Sequence, residues 1–209
     1  MEGLQYYAWE ESFIQSLLRD GDTFVDVGAN IGNLTIAGKL KVSGGTVVAI
    51  EAHPRTFSFL VRNIALNQLT VDARNVAVGD KPGMLAFSDM HADDCNGISL
   101  TAGGIAVPVQ TLDIELKDLG DIRLLKIDVE GYEFMTLRGA GEVLARTKFV
   151  YFELWDKLTA RYDYTPADIL LLLNGAGFHV YRILDSGERQ EITLGADFSQ
   201  PQNYLAEKT

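Results

Sequence analysis

The chain has 209 residues, 18 basic against 29 acidic, and a net charge of −11, so its field repels phosphate backbones and anionic lipids and argues against nucleic-acid and membrane partners. That length suits one well-filled domain over 1–209, an N-terminal helical segment at 1–21 followed by an α/β core at 22–209. Cys95 is the single cysteine, which excludes an internal disulfide and a cysteine-based zinc site.

The N-terminus Met1-Glu-Gly-Leu-Gln-Tyr-Tyr7 lacks the basic and apolar regions of a signal peptide, and no run of about 18 apolar residues appears, so a soluble, cytoplasmic protein is expected. Residues 10–19 carry apolar side chains at Phe13, Ile14, Leu17 and Leu18, a helical period ended by Asp20-Gly-Asp22. A short apolar strand follows at 23–27, a helix at 31–41 stopped near Ser43-Gly-Gly45, and a second buried strand at 46–51. Pro54 suits the first turn of a helix running to about Asn67, with Phe57, Leu60, Val61 and Ile64 on one face. A third strand is expected over 71–78, before the sharp turn Gly79-Asp-Lys-Pro-Gly83.

From 84 to 109 the pattern breaks into short apolar pieces separated by Asp, Asn and Gly. Regularity returns as a strand at 122–129, a helix at 132–146, a strand at 149–154, a helix at 166–174 closed by Gly175-Ala-Gly177, and a strand at 178–184. The tail at 203–207 can pair antiparallel with that strand. Strands alternating with helices predict a doubly wound α/β sheet with helices on both faces, in which ligands bind at the carboxyl ends of the strands.

Two strand ends carry the chemistry. At the first, Gly28 and Gly32 flank Ala29, Asn30 and Ile31, so the backbone can turn tightly and approach a ligand, and the helix beginning near Ile31 aims free N–H groups at the same space. A dinucleotide fingerprint, G-x-G-x-x-G, fails because Asn30 and Asn33 stand where glycines are needed, and no Walker A lysine follows. A glycine turn without a ligand is the plainer alternative. Asp26, two residues earlier, can hold an ammonium group or order the loop. Glu51 closes the second strand, where an acid can accept both ribose hydroxyls; alone it reads as a helix-cap or surface acid, and coupled to the glycine turn as a ribose ligand.

The run Asp26-Val-Gly-Ala-Asn-Ile-Gly-Asn33, followed by Glu51-Ala-His-Pro54, Asn75-Val-Ala-Val-Gly79, Gln110-Thr-Leu-Asp113 and Lys126-Ile-Asp-Val-Glu-Gly-Tyr-Glu133, resembles the FkbM family of S-adenosylmethionine-dependent methyltransferases. The likeness covers roughly Asp22 to Phe178 and rests on the order and spacing of these motifs. It implies the Rossmann-like, seven-stranded, mostly parallel class I methyltransferase fold with an antiparallel last strand. It also implies that Gly28, Ala29, Asn30 and Gly32 cradle the methionine part of the cofactor, that Glu51, with Ala52 beside it, holds the ribose, and that the Asn75 to Val78 strand end, including Ala77, lies near the adenine.

At the second strand end, Lys126, Asp128 and Glu130 alternate and would face one way in an extended strand, with Gly131 bending it. Methyl transfer from a sulfonium is an in-line displacement, so the enzyme mainly aligns the acceptor and handles its proton, and Asp128 is the carboxylate placed to do so. Asp128 can alternatively bind the cofactor's amino group. Glu130 shares the catalytic assignment, although it and Glu133 can equally charge the start of the helix from Tyr132. Lys126 is expected to pair with one of these acids. Glu153, ending the fifth strand, completes the catalytic candidates; with Asp128 it can form a carboxylate pair or hold a divalent ion, but a full ligand set is absent and no metal site is expected. His53, His91 and His179 show no ligand spacing.

Trp155, Tyr162 and Tyr164 either wall an acceptor pocket or cover the helix behind them. The stretch His91 to Gly104, with Asp93, Asp94, Asn96 and Ser99, reads either as a lid in which Asn96 meets the acceptor or as a solvated loop. The expected activity is methylation of a hydroxyl on a small-molecule acceptor, a sugar or natural-product intermediate. A nicotinamide-dependent oxidoreductase and a non-catalytic S-adenosylmethionine-binding module are the alternatives.

Overall fold

A computed structural model describes residues 2–87, 104–184 and 187–208. The chain gathers into two units: one takes in Met1–Ala77 and Leu85–Val107, the other Val78–Met84 and Pro108–Thr209.

In the first unit, helix α1 (Glu2–Leu17) precedes strand β1 (Thr23–Val27), helix α2 (Asn33–Lys41), strand β2 (Thr46–Ile50), helix α3 (Pro54–Leu66) and strand β3 (Asp72–Arg74). The strands are parallel in the order β1-β2-β3, with Val25 opposite Val48 and Ile50 opposite Arg74. A parallel sheet is covered on both faces, which is why Phe24, Val25, Val27 and Val47, Val48, Ala49, Ile50 are all buried and read as near-continuous apolar runs. Asp26 is the charged exception among them. On α3, Leu60 and Ile64 pack with Ala29 and Ala49, and Phe57, Leu69, Val71 and Ala73 lie against that cluster. Val61, expected on the same face, is 42% exposed, because the buried side follows the four-residue spacing Thr56, Leu60, Ile64.

The helix expected over 31–41 begins two residues late, leaving Ile31 and Gly32 to the preceding loop. The strand expected over 71–78 is two, β3 and then β4 (Ala77–Val78). Their break falls at Asn75, whose side-chain amide donates to the carbonyls of Glu51 and Ala52, at 2.8 and 2.9 Å. Side-chain bonding of this kind competes with a strand ladder. Strands β5 (Gly83–Phe87) and β6 (Ile105–Gln110) occupy the two ends of the stretch read as irregular. His91, Asp93, Asp94, Cys95, Asn96 and Ser99 lie outside the described residues.

The second unit continues with α4 (Leu112–Glu115), β7 (Ile122–Ile127), α5 (Glu133–Arg138), α6 (Gly141–Ala145), β8 (Thr147–Leu154), α7 (Asp156–Thr159), a 3-10 turn (Ala160–Tyr162), α8 (Pro166–Gly175), β9 (Phe178–Ile183), β10 (Arg189–Glu191) and β11 (Gln202–Lys208). Its strands run in the order β7-β8-β11-β9-β10. Strands β7 and β8 are parallel, whereas β11 is antiparallel to both β8 and β9, with Tyr204 opposite Phe152 on one side and Arg182 on the other. The last strand is therefore antiparallel as expected, and it is inserted between two strands rather than added to one.

The single helix expected over 132–146 is broken into α5 and α6 around Gly139. Asp113 explains the second start: its Oδ1 accepts from the amide of Val143 over 2.9 Å, and its own amide donates to Gly139 O. Thr111 likewise caps α4, its hydroxyl accepting from Ile114 N. The Gln110 to Asp113 motif thus supplies helix caps. No helix among the described residues is long and apolar enough to cross a membrane.

Candidate functional site

In the first unit the loop after β1 has positive φ at Gly28 (72°), Asn30 (50°) and Gly32 (99°). Alternation of this kind turns successive backbone N–H groups into an anion-binding concavity. Gly28 N and Ala29 N both donate to Ile50 O, at 2.9 and 3.0 Å, tying the loop to the end of β2. Asn30 N donates to Glu51 Oε2 over 2.9 Å, while Glu51 Oε1 accepts from His53 N over 2.8 Å. Asn63 of α3 reaches back to Ile31 O at 2.8 Å. Gly32 is doubly constrained, by its φ and by Leu60 Cδ1, which would lie 2.7 Å from an added Cβ.

Asp26 is fully buried, and Thr35 Oγ1 of α2 donates to its Oδ2 over 2.5 Å. The carboxylate thus fastens the helix that follows the loop. The N-terminus of α2 has neither a side-chain cap nor an acidic residue in its first turn, so its positive end is left for a ligand anion. Asn75 holds the Glu51–Ala52 backbone by the two bonds given above, and Ala77 is 5% exposed.

This donor set fits S-adenosylmethionine. The α2 end suits the amino-acid carboxylate. Glu51, just past the end of β2, presents the acceptor-only carboxylate that ribose hydroxyls need.

In the second unit β7 stops at Ile127, and the alternation of Lys126, Asp128 and Glu130 does not continue. Glu130 (φ 56°) and Gly131 (φ 96°) are the central residues of a tight turn closed by Tyr132 N donating to Val129 O over 3.2 Å. Positive φ at both central positions is the type I′ pattern. A Cβ on Gly131 would lie 2.8 Å from Leu158 O, so the second of these positions requires glycine. Lys126 pairs with Asp128 as expected, Nζ to Oδ2 at 3.8 Å, with side chains 5% and 46% exposed. Asp128 is an accessible carboxylate on a buried cationic base; Glu130 is exposed.

Glu133 is the largest departure from the sequence reading. It stands in the first turn of α5, at the helix start it was expected to cap or charge, but it is only 3% exposed there, its Oε1 accepting from Val129 N (3.0 Å) and Gly131 N (3.2 Å). Burial, with Asp128 adding in the same direction, pushes its carboxyl up to about 7 against the opposing backbone bonds. Tyr164, also buried, places its hydroxyl 2.7 Å from Gly131 O and 3.3 Å from Glu133 Oε2, and its ring stacks on Phe134 at 5.0 Å. It braces the turn, while the half-buried Tyr132 and Tyr162 rings meet edge to face at 5.3 Å.

Glu153 lies in β8 opposite Asn203 of β11, one residue before the strand ends. Ile127 is in register with Phe152, so Asp128 and Glu153 are the next residues along neighbouring chains. Trp155 Nε1 donates to Ser199 O over 3.2 Å. No group of three or more His, Cys, Asp or Glu able to hold a metal occurs among the described residues.

Residues 26–180 match the model of the methyltransferase FkbM domain. The chain belongs to the FkbM methyltransferase family. Hexuronic acid methyltransferase AglP of Haloferax volcanii is 30% identical over 175 residues, covering 80% of this chain and 69% of that protein. The 31-O-demethyl-FK506 methyltransferase FkbM of Streptomyces tacrolimicus is 29% identical over 199 residues, covering 78% and 75%. Methyltransferase 1 of Beauveria bassiana is 29% identical over 146 residues, and the match spans 59% of its length.

Among solved structures, an S-adenosylmethionine-dependent O-methyltransferase of Thermotoga maritima superposes with a TM-score of 0.53 at 16% identity, covering 95% of this chain and 66% of that one. A Streptococcus mutans protein solved with S-adenosylhomocysteine gives 0.58 at 11% identity, covering 97% of each. The fold is that of the Rossmann-like class I methyltransferases, and S-adenosylmethionine is the cofactor of the FkbM family. Family membership removes the nicotinamide alternative.

Proposed function

We propose that this FkbM-family protein transfers a methyl group from S-adenosylmethionine to a hydroxyl of a small molecule, a sugar or natural-product intermediate. Gly28, Ala29, Asn30 and Gly32 with the α2 N-terminus hold the amino-acid end, Glu51 with Ala52 holds the ribose, Asn75 and Ala77 border the adenine, and Asp26 keeps the loop and helix in register. When bound, the cofactor offers an electrophilic methyl on a sulfonium.

The observation that carries the acceptor side is Asp128, a half-exposed carboxylate with Lys126 Nζ at 3.8 Å. Its part is to accept the proton that the acceptor hydroxyl gives up, at its own Oδ atoms. Glu130 and Glu153 orient the acceptor's remaining polar groups. Transfer to oxygen on a natural product is supported by the 31-O-demethyl-FK506 methyltransferase relative, and a sugar acceptor by the hexuronic acid methyltransferase relative.

A panel of hydroxylated, amino and carboxylate compounds incubated with isotope-labelled cofactor and read by mass spectrometry tests this. Labelled methyl on hydroxyl compounds is the expected result. Products confined to amines or carboxylates overturn the acceptor class, and tight S-adenosylhomocysteine binding without any product indicates a binding module.

A further inference from the structure

Glu133 is a buried acid that none of the roles above uses. Its Oε1 gathers the amides of Val129 and Gly131, at 3.0 and 3.2 Å, so the turn carrying Asp128 and Glu130 is folded around it. The other oxygen lies 3.3 Å from Tyr164 Oη, and that hydroxyl also lies 2.7 Å from Gly131 O. A phenol has one proton to give. The carbonyl, shorter and without a hydrogen of its own, takes it. The remaining oxygen–oxygen contact is then a hydrogen bond only when Oε2 itself carries a proton and donates it to Tyr164. With that proton in place both short oxygen–oxygen contacts of Tyr164 are hydrogen bonds. Without it, two oxygens face each other in a buried site.

We propose that Glu133 is a positioning residue that holds the turn, and with it Asp128 and Glu130, as a neutral acid bonded to Tyr164, and that loss of this proton loosens the turn. The direction in which burial moves its carboxyl agrees. Burial, followed by the charge of Glu133, also pushes the Tyr164 phenol up, so the phenol keeps its proton throughout. Among the described residues, Asp128, itself paired with the buried Lys126, and Tyr164 act on Glu133, and Tyr162 beside them also feels Glu130 and Tyr132. Arg161 lies over the Tyr162 ring at 5.9 Å, and Asp168 of α8 is engaged by Thr165. The left-handed conformation of Glu130 makes the turn costly, and the Glu133 carboxyl offsets that cost as an internal anchor.

The test is a carboxyl-13C NMR titration of the whole protein labelled at glutamate, with the Glu133 signal assigned by its loss in Glu133→Gln, alongside amide exchange. One carboxyl titrating near neutrality is expected in the wild type, and a lower titration in Tyr164→Phe. Exchange at Val129 and Gly131 should quicken on the order of tenfold beyond its ordinary base-catalysed rise as that proton leaves, and Glu133→Gln should show only the ordinary rise. A Glu133 carboxyl titrating in the usual glutamate range, or amides indifferent to its titration, overturns the proposal. Only the effect on turnover depends on Asp128 serving the acceptor. If kcat ignores a titration that the carboxyl and amides do follow, Glu133 keeps its place and Asp128 leaves the reaction.

Discussion

The amide of Asn30 donates to Glu51 Oε2 over 2.9 Å, so the acid that follows β2 is also a brace for the glycine loop that follows β1. Its other oxygen anchors His53 N at the start of α3. One carboxylate therefore ties the loop to the start of the next helix, and it is the group proposed above to meet the ribose.

Glu51→Ala is expected to weaken S-adenosylhomocysteine binding by roughly 10- to 100-fold, from loss of charge-assisted bonds worth about 1.5–3 kcal/mol. Glu51→Gln, which keeps one acceptor oxygen, should fall between. Calorimetric titration of both variants measures this; wild-type affinity in Glu51→Ala would remove the ribose assignment.

Gly28 has φ 72°, a region that a β-branched residue avoids. Gly28→Val should cost about 1–3 kcal/mol of stability in urea unfolding and abolish cofactor binding, while far-ultraviolet circular dichroism stays native. A folded variant that binds normally contradicts the cradle.

Asp128→Asn keeps the shape of the side chain and loses the proton acceptor. Turnover should fall by about 10²- to 10⁴-fold with cofactor affinity unchanged, measured by single-turnover kinetics and calorimetry. Equal loss of affinity would instead point to a role in cofactor binding.

The Glu133 carboxyl is raised to about 7 in the fold, from an ordinary 4.5. The folded protein then holds a proton that the unfolded chain releases, so this contribution is fully present below about pH 4.5 and is lost as pH rises through 7. Relative to Glu133→Gln, the wild type should lose on the order of 3 kcal/mol across that window. Urea midpoints at closely spaced pH values for both proteins check it, and parallel curves would contradict it.

The tight glycine loop after β1 was legible in the sequence because its information is local. Gly28 and Gly32 demand left-handed backbone, and an uncapped helix start follows within a few residues. The order of strands and helices was equally accessible from apolar periodicity, including the antiparallel pairing of the tail. The placement of β11 between β8 and β9 was not, since one strand's pattern does not say how many neighbours it has.

Two local rules failed for one reason. Alternation put Glu130 on the face of Asp128, and the dipole rule placed Glu133 at its helix start without its burial, because each rule counts only nearby residues. Tyr164 approaches Glu133 from 31 positions away, and Asn75 reaches Ala52 across 23. The amino-acid order alone was enough for the alternating α/β architecture, the tight glycine loop and the acids at the strand ends, because backbone sterics and periodicity act over a few residues. Folding was needed to bury Glu133 and set Tyr164 against it, because desolvation and hydrogen-bond completion depend on groups brought together from distant parts of the chain.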